Sequence, residues 1–133
     1  MRLGLMISFL LVLCYAPSFA SAGPTALESR AVRLICRAEL ERVSDAASNA
    51  NACSTFDVSR IEASAMALDS MTGLRLSDQM DWRNPLIDHD DVRRVVDQWS
   101  KWLERNGSHL SLSQVVVAVE KSMTWLAKQH EVP

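Results

Sequence analysis

Between Asp88 and Gly107 the large apolar side chains fall at Val92, Val95, Val96, Trp99, Trp102 and Leu103. Asp91, Arg94, Asp97, Lys101 and Arg105 fill many of the places between them. Spacings of three and four put the first set on one side of a 3.6-residue helix and the charges largely on the other. A stripe of that width is stable only when another element covers it, so the rest of the chain has to supply packing partners. Asp88 stands where an N-cap belongs, and Asn106-Gly107 marks the stop.

Three further segments repeat the pattern. Thr25-Ala26-Leu27-Glu28 places a hydroxyl three residues before a carboxylate, which satisfies two otherwise unpaired amides at a helix start. Leu27, Ala31, Leu34, Ile35, Ala38 and Val43 then recur at helical intervals and predict an inward face. Ser44 to Ala52 has no large apolar residue and reads as a loose connection. Ser54-Thr55-Phe56-Asp57 offers a second start, after which Val58, Ile61, Ala65, Leu68 and Met71 or Thr72 lead to Gly73, a helix stop. Ser111-Leu112-Ser113-Gln114 is a further capping box, followed by Leu112, Val115, Val116, Val119, Met123 and Leu126. Val115 to Val119 alone would suit a strand, but the helix formers from Glu120 to Lys128 decide for a helix. The expectation is an all-α fold, a small bundle of about four helices, with one irregular stretch between Gly73 and Ile87.

The chain opens with Met1-Arg2, an apolar run from Leu3 to Tyr15, and Pro17 to Ala22 with small residues at Ala20 and Ala22. A positive end, an apolar middle and an A-x-A site read as a cleavable export leader over 1–22. The run is too short, and too soon broken by Pro17, for a stable membrane span. Removing those 22 residues from 133 leaves 111, the size of one domain spanning 23–133. Losing Arg2 takes the balance from 14 basic and 16 acidic residues to 13 and 16, a net −3 that does not suit nucleic acid. Of the three cysteines Cys14 leaves with the leader, so Cys36 and Cys53 reach an oxidising compartment as an even pair, and a disulfide is expected. Closing that loop is worth about 3 kcal/mol in the chain-entropy picture.

No G-x-S-x-G elbow or zinc-ligand spacing is present, and nothing calls for a cofactor or a metal. His89, His109 and His130 sit on polar positions and read as solvated surface. Asp88, Asp90 and Asp91 fit the positive end of a helix better than a calcium loop, which would need a glycine and a terminal glutamate in register. Glu62 could serve as a cell-wall-cleaving acid, yet it lacks a second positioned group. Trp99 and Trp102 belong to the apolar stripe. Trp82 stands in the irregular stretch beside Met80, Asp81 and Arg83, and fits either a binding anchor or a plug under the loop.

Leu34-Ile35-Cys36, the small-residue connection to Cys53, Phe56, and later Pro85, Trp102-Leu103-Glu104-Arg105-Asn106, His109-Leu110 and a last Val- and Ala-rich helix form one layout. From about Ala31 to Leu126 it resembles the periplasmic immunity proteins that protect bacteria from peptidoglycan-amidase effectors of type VI secretion. It departs from them at Ser59, where a glycine is common, and in lacking a second cysteine pair near Pro85 and Ala127. The resemblance implies a non-catalytic periplasmic inhibitor that blocks the substrate cleft of an amidase toxin with a protruding loop, and it allows a homodimer. The loop expected to make that contact is Leu74 to Arg83, through Leu76, Asp78, Met80, Trp82 and Arg83. The competing expectation from another class is an envelope assembly factor, a pilotin-like chaperone holding a peptide between helices.

Overall fold

A computed structural model of the chain describes residues 24–48 and 55–131. The expected leader over 1–22, the Ser54 end of the second capping signal and Cys53 lie outside the described residues. Four α-helices and no strand occur among those described: α1 (Ala26–Ser48), α2 (Thr55–Thr72), α3 (His89–Asn106) and α4 (Leu112–Gln129). Short 3₁₀ turns at Ser77–Gln79 and Gly107–His109 punctuate the connections.

Local chemistry sets the helix ends. The Thr25 N–H donates to Glu28 Oε2 at 2.7 Å, while the Glu28 N–H donates to Thr25 Oγ1 at 3.2 Å. Asp88 Oδ1 accepts from the Asp90 N–H at 2.8 Å, and Ser111 and Gln114 form a reciprocal box at the start of α4. Gly73 ends α2 at a φ of +74°, a conformation costly for any residue with a Cβ. Gly107 works differently. Its φ of −60° is right-handed, so α3 tightens into a 3₁₀ turn instead of reversing through a left-handed residue. The expected connection from Ser44 is shorter than anticipated, because α1 runs to Ser48; alanine and serine carry little cost in a helix.

The central element is α2. Ala63, Ser64, Ala65, Ala67 and Leu68 are all buried, and five such positions in six span the whole circumference of a helix. Small side chains let α1 and α4 approach it closely. One core cluster joins Val43 of α1, Ile61, Ala65 and Leu68 of α2, and Val92, Val95 and Trp99 of α3. A second joins Val32 and Cys36 of α1, Ala67 and Met71 of α2, and Leu110, Val115 and Ala118. Leu103 packs against both, and Trp102, expected in the core, is half-buried against the second.

The inward face of α1 is only partly the expected one. Val43 is buried and Ile35 half-buried, as expected, but Val32, Cys36 and Glu39 also point inward, whereas Leu27 is 76% and Leu34 59% exposed. Both sets obey helical spacing, and the short, branched side chains are the ones that fit against the alanine-rich surface of α2. Glu39 is buried among them; its carboxylate accepts from Arg42 Nη1 at 2.8 Å, and the same nitrogen donates to Ser64 Oγ at 3.1 Å, tying α1 to α2.

Cys36 is buried and its thiol is free, with Sγ 3.8 Å from Met71 Sδ. Burial pushes the thiol pKa up, a backbone hydrogen bond opposes this, and the Glu39 carboxylate raises it further. No disulfide is present among the described residues, and the expected partner Cys53 is not one of them.

Candidate binding surface

The residues singled out between Leu74 and Arg83 divide into two groups. Leu76 is buried, and Trp82, only 8% exposed, sits in the first core cluster with its indole Nε1 donating to the Ser77 carbonyl at 3.2 Å. Both are core side chains in this structure. Met80 is half-buried against the same cluster. Asp78 and Arg83 remain outside: Asp78 pairs with Arg75 at 2.9 Å, and Arg83 lies 3.5 Å from Glu62 Oε2 and donates to Gln129 Oε1 at 3.5 Å. Glu62 thus helps tie the segment to α2. Among the described residues, no group of three or more His, Cys, Asp or Glu side chains is placed to hold a metal ion.

What fixes this segment is a residue the periodicity did not mark. Asp69, in the last turn of α2, accepts four hydrogen bonds on one carboxylate. Oδ1 takes the Leu76 N–H at 2.8 Å and the Trp99 indole N–H at 3.0 Å, while Oδ2 takes the Ser77 N–H at 2.8 Å and the Ser77 hydroxyl. One side chain thereby joins α2, the irregular segment and α3. It also holds down Arg75, whose φ of 52° is left-handed and costs about 1 kcal/mol or more for a residue with a Cβ. A signal for Asp69 did exist. An acid in the final turn of a helix opposes the negative end of the macrodipole, so it needs a compensating set of donors.

Beyond Trp82 the chain makes two successive turns. The Asn84 N–H donates to the Asp81 carbonyl at 3.0 Å, and the Ile87 N–H donates to the Asn84 carbonyl at 3.1 Å. The Asn84 side chain accepts from the Leu86 N–H at 2.9 Å, the turn chemistry expected of Asn followed by Pro85. Trp82 and half-buried Ile87 anchor the two ends in the core, and Leu86 is held between them, 87% exposed. An apolar side chain displayed on a hydrogen-bonded turn loses little entropy on contact. Beside this segment a cleft of about 340 Å³ is lined by Met66, Asp69, Ser70, Arg75, Ser77, Asp78, Lys121 and Ser122. Its mixed charges differ from the apolar groove in which a chaperone would hold a helical peptide.

No helix among the described residues is long and apolar enough to cross a membrane. No protein-family model matches this chain, and no curated protein or solved structure is significantly similar to it.

Proposed function

We propose that this chain is an exported, non-catalytic binding protein of the immunity type, which presents the turn around Leu86 to the substrate cleft of a cell-wall-degrading amidase. The observation that supports this reading is the construction of the 74–87 segment. Its backbone is fixed by Asp69, Trp82 and Ile87, and it leaves Leu86, Arg83 and Asp78 facing solvent. An apolar projection on a hydrogen-bonded turn suits an interface anchor, because the cost of ordering it is met on folding rather than on binding. The contact set is therefore Leu86, Arg83 and Asp78, with Leu76, Met80 and Trp82 supporting it from beneath.

The test is inhibition of a peptidoglycan amidase encoded beside this gene, titrated with the leaderless chain and with Leu86→Glu. The reading expects stoichiometric inhibition that the variant loses at unchanged thermal stability. An amidase that runs at full rate in excess of the wild-type chain would overturn it.

A further inference from the structure

The outer face of α1 carries a second apolar stripe that the core does not use. Leu27, Ala31, Leu34 and Ala38 are spaced four, three and four apart, so they share one side of the helix, roughly opposite Val32, Cys36, Glu39 and Val43. Arg30, Arg33 and Arg37 stand along one flank of that stripe, and all three are exposed. Arg37 pairs with Glu41, while Arg30 and Arg33 have no ion pair among the described residues. Glu28 in the same half is half-buried and accepts from the Thr25 N–H, and the exposed acids Glu41 and Asp45 follow only beyond the end of the stripe.

We infer that this face rests on the surface of an anionic lipid bilayer, with Leu27 and Leu34 dipping into the headgroup boundary and the arginines on lipid phosphates. One observation favours lipid over another occupant: an exposed apolar stripe bordered by arginine is the pattern of an interfacial helix, since the two groups meet the two layers of a membrane surface at once. A second copy of the chain fits less well. Two such faces pairing antiparallel about the centre of the stripe bring Arg30 of one near Arg37 of the other, and like charges repel.

The experiment uses the chain from Gly23 onward, which contains every described residue, and sedimentation with vesicles of phosphatidylcholine alone or mixed equally with phosphatidylglycerol. The chain should sediment with the anionic vesicles at low salt and be released as salt rises. Arg30→Glu with Arg33→Glu should weaken partitioning by about thirtyfold or more, and Leu27→Ser with Leu34→Ser should abolish it. All four side chains face solvent, so the urea midpoint of each variant should match the wild type and report that it is folded. Equal sedimentation with both vesicle types, or none with either, overturns the inference. So does a concentration-dependent dimer, seen without lipid, that the Leu27 and Leu34 substitutions dissociate, because the stripe then belongs to a second copy.

Discussion

Replacing Asp69 by alanine removes one carboxylate and leaves four donors without their acceptor. Two of these, the Leu76 N–H and the Trp99 indole N–H, belong to buried residues, so water cannot easily take the place of the lost oxygen. A buried donor left unsatisfied costs about 1 to 3 kcal/mol. The Ser77 groups are half-buried and can rehydrate, adding little. The sum is about 4 kcal/mol, a large part of the roughly 5 to 15 kcal/mol by which a domain is usually stable. Urea unfolding followed by tryptophan fluorescence reads this directly. With a slope of about 1.5 kcal/mol per molar, the midpoint should fall by about 2 to 3 M. Acrylamide should also quench Trp82 more strongly in the variant, because the segment that seats its ring is no longer tied to α2. Asp78→Ala, which removes an exposed carboxylate paired only with Arg75, should stay within about 0.5 kcal/mol of wild type. An Asp69→Ala midpoint within 0.3 M of wild type, with unchanged quenching, would refute the assignment of Asp69 as the tie between α2, the segment and α3.

Three shorter predictions follow from the same geometry. Trp82→Ala should destabilise the fold by about 3 to 5 kcal/mol through the cavity it leaves, whereas Leu86→Glu should move stability by less than about 0.5 kcal/mol; equilibrium urea curves separate the two roles. Cys36 should resist iodoacetamide at neutral pH until the chain unfolds, and mass spectrometry of native against urea-treated protein checks it. Because the folded thiol ionises later than the unfolded one, the stability linked to Cys36 is fully present at neutral pH and declines from about pH 8.5 upward, which unfolding curves at pH 7 and pH 10 would show as a loss larger in wild type than in Cys36→Ser.

The helices of this chain are written in short-range chemistry and are legible for that reason. Thr25 with Glu28, Asp88 with Asp90, and Ser111 with Gln114 each act across two or three residues, so a sequence window contains the whole interaction. Which face of α1 turns inward is not local. Leu27 and Leu34 are larger and more apolar than Val32 and Cys36, and only the alanine-rich surface of α2 selects the smaller set. The candidate binding surface shows the same division. The sequence singles out Trp82 in the irregular segment and passes over Leu86, yet the indole is held inside by the Ser77 carbonyl and the first core cluster, while Pro85 and the Asn84 side chain turn Leu86 outward. Asp69 contacts residues 7, 8 and 30 positions away, distances at which no periodicity speaks.

The account stands on the turn at Asn84–Ile87 being the part of this molecule that meets its partner. Amide hydrogen exchange, measured on the chain alone and again with a saturating amidase, reads that surface without any substitution. Slowed exchange at Leu86 and Ile87, together with the amides around Asp78, is the expected footprint. Protection confined to α3 or α4, with the 84–87 amides exchanging at the same rate in both samples, would contradict it.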